Sequence, residues 1–355
     1  MERATVDIYE ARGGEWAAHR LPVHRSEARA FAGRVGDGAL RIDLGCGAGR
    51  YAPDLGRPVI ALDAAQGMLA RCRRAAPDAL LVRADLEALP FGPGTLHGGW
   101  AHMSYLHVPG VRVPIALADL HRTLVVGAPL HIQLLAGEYE GDALPQDRIG
   151  GRFFAAWTPE RLSDVLVGAG FDIGACTVDG DDVRAGAVRA RTLPDAVGPG
   201  MHLLVVGLNP SLYAADVGVG YARPGNRFWP AALAAGLVTR DRDAIHALRA
   251  HGLGMTDLVK RATANASSLQ PQEYRAGMAR VERLVRWLEP TAVCFVGLTG
   301  WRTAVDRGAR AGPQDHRIGG RPVYVMPSTS GANAHARLES LVDHLRAAWS
   351  LVADG

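Results

Sequence analysis

Twice along this chain of 355 residues an apolar strand runs straight into a turn, and each time strands and helices alternate beyond it. The first beginning is "LRIDLGCGAG" at 40–49, and the second is "MHLLVVGLNP" at 201–210. Strands that alternate with helices build parallel sheets covered on both faces, so each beginning predicts its own α/β unit. In the first unit, strands at 58–63, 79–86 and 127–137 alternate with helices at 64–75 and 158–171. Then "RTLPDAVGPG" at 191–200, with two prolines, interrupts the alternation and reads as a linker. In the second, strands at 292–297 and 321–326 alternate with helices over 272–288 and 334–349. The predicted division is 1–193 and 194–355.

Composition narrows the function classes. No apolar run reaches the ~18 residues that a membrane span requires. The start, Met1-Glu2-Arg3, lacks the apolar core of a secretory signal, so the cytoplasm is expected and no membrane partner. Cys46, Cys72, Cys176 and Cys294 are scattered without a CxxC pair, which argues against a metal site. Charge is uneven. Residues 1–193 carry 21 Lys+Arg against 23 Asp+Glu, and residues 194–355 carry 18 against 13. Only the second half has the excess of positive charge that suits nucleic acid, although a solvated arginine face would give the same count.

In the first unit, Asp43, Gly45, Gly47 and Gly49 sit where a strand turns into a helix. Glycines there let the backbone approach a ligand closely. Asp63, eighteen residues past Gly45, ends the second strand, where a carboxylate can take both hydroxyls of a ribose. Asp85 and Leu86 follow the third strand and can hold an adenine edge. Three such features in register on successive strands resemble the class I S-adenosylmethionine-dependent methyltransferases over roughly residues 5–193. The resemblance implies a Rossmann-like fold and S-adenosylmethionine as cofactor. Asp43, Gly45, Gly47 and Gly49 would then flank its methionine part, Asp63 the ribose, and Asp85 with Leu86 the adenine. The methyl acceptor is not identified, because the motifs of DNA amino- and cytosine-5-methyltransferases are missing. His102, Tyr105 and His107, beyond the fourth strand, are candidates for the acceptor side.

Three stretches of the second unit carry its chemistry: "VVGLNPSLYAADVGVGYARPGNRFWPAAL" (205–233), "GLGMTDLVKRATA" (252–264) and "VMPSTSGANA" (325–334). Together they resemble the mismatch-specific uracil-DNA glycosylases, the family that includes thymine-DNA glycosylase. Such an enzyme flips a base out of the duplex, stacks it, stabilises it as a leaving anion and directs one water at the sugar. Gly207-Leu208-Asn209-Pro210 leaves its strand in a rigid turn suited to a pocket floor. By resemblance Asn209 positions the water, its alternative being an Asx-type turn former. Tyr221, twelve residues on, falls at the family's stacking position, or else is a core tyrosine. Asp257 either reads the N3–H of a uracil edge or caps a helix. Ser330, the last base-pocket candidate, opens the loop Gly331-Ala332-Asn333, which corresponds to the family's DNA wedge. Relatives place a leucine or arginine at the Ala332 position, so this chain departs from the pattern there. It also lacks the histidine that faster uracil glycosylases carry in this loop, and His335 lies beyond it, in the expected helix. Asn226 and Arg227 suit phosphate contact or helix-start packing equally. Lys260, the only lysine in the chain, stands beside Arg261 in an expected phosphate-facing loop, away from any nucleophile position.

The resulting expectation is an α/β chain of two domains. A methyltransferase-like unit is fused to a glycosylase with a parallel sheet flanked by helices, which acts on double-stranded DNA containing G·U or related mismatches and needs no cofactor or metal. The alternative from another class is a damage-recognition module that does not cut, joined to a cofactor-sensing domain.

Overall fold

Apolar runs without polar alternation, such as Leu203–Gly207 and Ala292–Val296, become strands buried along their whole length. That is the pattern of a sheet covered on both faces. A computed structural model describes residues 1–18, 23–145, 147–333 and 336–352, and the chain divides into two compact units, Met1–Ala190 and Arg191–Gly355.

The first unit begins with α1 (Arg3–Ala18) and α2 (Arg25–Val35), followed by β1 (Arg41–Leu44), β2 (Val59–Asp63) and α3 (Gln66–Ala75). Next come β3 (Leu80–Arg83), β4 (Gly98–His102), α4 (Val113–Thr123) and β5 (Pro129–Leu135). A small ribbon of β6 (Glu140–Gly141) and β7 (Phe154–Ala155) precedes α5 (Pro159–Gly168), β8 (Phe171–Asp179) and β9 (Asp182–Arg189). The main sheet has the order β3-β2-β1-β4-β5-β9-β8, with β9 and β8 antiparallel and the rest parallel. Strand order reverses between β1 and β4, which opens a crevice at their carboxyl ends. This is the Rossmann-like methyltransferase fold. Helices α1 and α2 were not expected from the sequence. In α1 the few buried residues, Thr5, Val6 and Gly13, make no continuous apolar stripe.

The second unit runs β10 (Leu203–Gly207), α6 (Leu212–Val217), α7 (Phe228–Ala235), α8 (Ala244–His251) and β11 (Leu253–Asp257). It continues with α9 (Pro271–Leu288), β12 (Ala292–Val296), α10 (Leu298–Ala304), β13 (Gly312–Ile318), β14 (Arg321–Met326) and α11 (Leu338–Ser350). Its sheet has the order β11-β10-β12-β14-β13, parallel except for β13. The chain leaves β10 between β11 and β12, so the reversal of strand order again falls beside a functional turn, here Gly207-Leu208-Asn209. The last helix begins at Leu338, later than the expected 334; His335 and Ala334 lie outside the described residues. No helix among the described residues is long and apolar enough to cross a membrane.

The stretch 191–200 is not a linker. Arg191 pairs with Asp216, and Thr192 donates to the Lys260 carbonyl. Ala196 forms an antiparallel bridge with Met255. Asp195 is 3% exposed and accepts from Lys260 Nζ at 2.7 Å and from Arg280 Nη1 at 2.8 Å. The prolines punctuate an ordered edge segment whose polar groups are answered inside the second unit. Lys260, expected at a phosphate-facing surface, is therefore an interior cation, and its neighbour Arg261 is engaged with Glu273. Removing one partner of a buried ion pair strands the others without hydration. Asp195→Ala should thus destabilise the second unit by about 3–5 kcal/mol, read as lost hydrogen-exchange protection at the β11 amides. Unchanged protection would show that the pair carries no weight.

Candidate active sites

The crevice of the first unit holds a cleft lined by Asp43, Gly45, Gly47, Asp63 and Leu86 among others. Gly45 and Gly47 have φ of 70° and 54°, and a Cβ on Gly45 would lie 2.4 Å from the Ser104 side chain. Glycine is required there by conformation and by space together. The Gly47 and Ala65 amides donate to the two oxygens of Asp63 at 2.9 Å each, fixing the carboxylate at the end of β2. Burial raises the Asp63 carboxyl despite those amides. Burial also drives the Asp43 carboxyl well above its ordinary value, with Cys72 and Asp63 adding to the effect, and Asp43 Oδ2 has no hydrogen-bond partner. Two buried, underneutralised carboxyls beside a glycine cradle make a site that gains by receiving a cation. S-adenosylmethionine carries an ammonium and a sulfonium, so the residues present fit it. Gly49, packed on Cys72, and Asp85, which accepts from the Met1 amine and the Glu87 amide, stand outside the cleft lining.

Of the acceptor-side candidates, His102 and His107 line this cleft and Tyr105 does not. Tyr105 is fully buried. His102 Nε2 lies 3.2 Å from the Tyr51 hydroxyl, and burial, reinforced by His24 and His131, pulls its imidazolium down to about 3. It is a neutral ring at physiological pH. His107 Nδ1 donates to the Phe153 carbonyl at 2.7 Å, which turns Nε2 into the acceptor for the Tyr9 hydroxyl at 2.8 Å. Arg152 donates to the same hydroxyl at 2.7 Å, and its charge is balanced by the buried Asp147. Tyr9 and Arg152, absent from the sequence reading, have no motif to betray them.

In the second unit Tyr221 and Asp257 meet at Gly207, the last residue of β10, and Asn209 follows in the turn that leaves this strand. A Cβ on Gly207 would lie 2.4 Å from Asp257 Oδ1 and 2.9 Å from the Tyr221 hydroxyl, so both side chains close over this glycine. Asn209 Nδ2 donates to Thr263 Oγ1 at 2.8 Å, to the Arg261 carbonyl at 3.0 Å and to the Pro210 carbonyl at 3.2 Å. The two amide hydrogens of Asn209 are thereby shared among three acceptors within the protein. Leu208 sits beside it, its amide carbonyl held by Val259 N. Tyr221 adopts φ 58°, left-handed backbone that costs a non-glycine residue ~1–3 kcal/mol. Its ring stacks on Phe228 at 4.2 Å, and its hydroxyl is buried without a hydrogen-bond partner among the described residues. Strain and an unsatisfied donor at one residue mark a site kept for something other than stability. Burial pushes the Asp257 carboxyl up to about 6, with Asp195 adding and Lys260 and Arg280 opposing. Asp257 ends β11 and caps no helix.

The third loop follows β14. Ser330 and Gly331 are exposed, and the Ala332 amide donates to Ser330 Oγ at 3.3 Å. Asn333 Nδ2 donates to the Ser328 carbonyl at 2.9 Å. Asn226 Oδ1 accepts from the Phe228 amide at 3.0 Å and opens α7. Arg227 is turned inward onto this loop. Among the described residues no cluster of His, Cys, Asp or Glu could hold a metal ion.

Comparison with known proteins gives each unit a class. Residues 194–353 match the family model of the uracil DNA glycosylase superfamily, and residues 42–132 match that of a methyltransferase domain. The chain therefore joins a methyltransferase domain to a domain of the uracil DNA glycosylase superfamily. Similar solved structures include DhpI in complex with S-adenosylhomocysteine, at 18% identity over 54% of this chain and 99% of that one, with a TM-score of 0.44. An S-adenosylmethionine-dependent methyltransferase from Mesorhizobium loti matches at 20% identity over 46% of this chain and 96% of that one, TM-score 0.39. One from Methanosarcina mazei matches at 15% over 45% and 97%, TM-score 0.41.

The raised Asp257 carboxyl has a consequence for stability. A carboxyl raised from 3.8 to about 6 binds its proton more tightly in the folded protein. Folding is therefore favoured at low pH, and that contribution is lost as pH rises through about 6. Asp257→Asn should make the second unit more stable than wild type at pH 8, by an amount on the order of 3 kcal/mol, and the gain should vanish near pH 4. Denaturation at the two pH values measures it; a gain that does not depend on pH would contradict the assigned burial of charge.

Proposed function

We propose that the second unit excises uracil from G·U mismatches by hydrolysis, and takes thymine from G·T by the same route. The first unit transfers a methyl group from S-adenosylmethionine to an acceptor of unknown class. The observation that carries the glycosylase reading is the meeting of Tyr221 and Asp257 over Gly207, with Asn209 two residues further along the same turn and tied to Thr263. The Tyr221 ring, backed by Phe228, supplies a stacking face for an extruded base. An ionised Asp257 accepts the N3–H of the base, and the buried Tyr221 hydroxyl has a proton to offer to a neighbouring carbonyl. Asn209 Oδ1 accepts a hydrogen bond from water and directs its lone pair at the sugar carbon. An amide cannot remove the proton, so the chemical step is modest in rate. Lys260, the only lysine, is held against Asp195, which leaves no lysine amine for a Schiff base and supports a monofunctional enzyme.

In the first unit Asp43, Gly45 and Gly47 would hold the methionine part of the cofactor, Asp63 the ribose and Leu86 the adenine, while Gly49, packed on Cys72, shapes the turn from behind and Asp85 is taken by the Met1 amine. When bound, S-adenosylmethionine supplies an electrophilic methyl group. His102 and His107, neutral or committed as acceptors, border the space where an acceptor would enter.

Two measurements test this. Asn209→Ala should lower single-turnover uracil release from a G·U duplex by roughly 10²–10⁴ and leave duplex affinity nearly intact, because phosphate contacts made elsewhere supply affinity. Retention of a third of the wild-type rate would remove Asn209 from the mechanism. If wild-type protein binds the mismatch and releases no base, the non-cutting recognition module is the correct reading. For the cofactor, Asp63→Ala should weaken S-adenosylhomocysteine binding about tenfold to a hundredfold by calorimetry, with glycosylase activity unchanged. Unaltered affinity would place the ribose elsewhere.

A further inference from the structure

Arg227 stands at the start of α7, yet its charge is spent on the loop after β14. Its amide donates to the Thr329 carbonyl at 3.0 Å. Its guanidinium donates to the carbonyls of Ser330 at 2.8 Å and Asn333 at 2.7 Å, and also to that of Ala336. One residue thus holds a single loop at four points. The next residue, Phe228, is the ring on which Tyr221 stacks. The loop assigned to enter DNA and the platform assigned to receive the base are therefore fastened to two consecutive residues.

We propose that Arg227 is a positioning residue that locks the wedge loop to the base platform, so that opening the duplex and capturing the base are one step. This rests on the glycosylase reading above. Relatives fill the gap left by a flipped base with a bulky side chain, whereas Ala332 offers a methyl group. The loop must then hold the duplex open with its backbone, and a backbone wedge works only if it is stiff. Four hydrogen bonds from one residue supply that stiffness, three of them from a planar guanidinium that an ammonium cannot copy. The platform does not need the guanidinium. Trp229 Nε1 donates to the Gly220 carbonyl at 2.8 Å and Asn226 caps Phe228, so Tyr221 stays in place without it. The same geometry argues against a phosphate contact by Arg227, because both terminal nitrogens are directed at carbonyls and Nε is buried.

The test compares wild type with Arg227→Met and Arg227→Lys on a G·U duplex and on a single-stranded oligonucleotide containing uracil. Both variants should lose about tenfold or more in single-turnover rate on duplex and stay within about twofold on single strands, where nothing has to be opened. The salt dependence of duplex binding should keep its slope, since no phosphate contact is removed. Equal losses on both substrates would reduce Arg227 to a structural residue, and no loss on duplex would remove the lock. A slope reduced by about one contact would make it a phosphate ligand; each of these overturns the proposal. If wild-type protein releases uracil from neither substrate, the glycosylase reading itself fails and takes this proposal with it.

Discussion

Asp195 lies at the point where the second unit is tied together. Burial by itself raises its carboxyl, yet Arg280 and Lys260 hold it below the usual carboxylate range. Arg280 reaches on to Thr256 Oγ1 at 2.8 Å and to the Asp257 carbonyl at 2.9 Å, while Lys260 also donates to the Leu193 carbonyl. One buried carboxylate therefore joins the entering chain, the end of β11 and helix α9. The backbone of Asp257 is pinned by this network, which leaves its side chain to face the space over Gly207. The two interior cations also oppose the burial that raises the Asp257 carboxyl. Position and ionisation of a proposed base-reading group come from the same set of contacts.

Both candidate sites use the same geometric solution. In each a strand runs into a glycine, and a carboxylate at the end of the neighbouring strand, Asp63 on β2 or Asp257 on β11, closes against the turn. In the first unit the raised carboxyls of Asp43 and Asp63 suit a cationic ligand. In the second, one raised carboxyl stands beside an unsatisfied phenol, a donor and acceptor pair suited to the edge of a neutral base. The difference in electrostatics, more than the shared α/β architecture, separates the two proposed chemistries.

Much of the architecture was legible because buried parallel strands are short apolar runs and glycine turns punctuate them. Gly45, Gly47 and Asp63 come together through strand order alone, and so do Asn209 and Asp257. What escaped were features with no local pattern. Helix α1 has no apolar stripe, and the buried Asp195 sits in a proline-bearing stretch that looks like a linker. Lys260 stands beside Arg261 in a stretch that sequence assigns to a phosphate-facing loop, whereas Asp195 and the Leu193 carbonyl hold it inside; Arg227, open in the sequence between phosphate contact and helix-start packing, is half-buried against loop carbonyls. The charge count of the second unit overstates its surface cations, since Lys260 and Arg280 are buried against Asp195, and Arg261 is paired with Glu273 at the surface. The relay of Tyr9, His107 and Arg152 joins residues more than ninety positions apart and leaves no spacing to recognise.

The account stands or falls on whether the second unit breaks an N-glycosidic bond. The direct measurement is to incubate the full chain with a duplex carrying one radiolabelled uracil opposite guanine and to separate free base from DNA. The account predicts free uracil together with an intact strand that breaks at the lesion only after alkali, as expected when no lysine forms a Schiff base. Mismatch binding with every label retained in the DNA would contradict it.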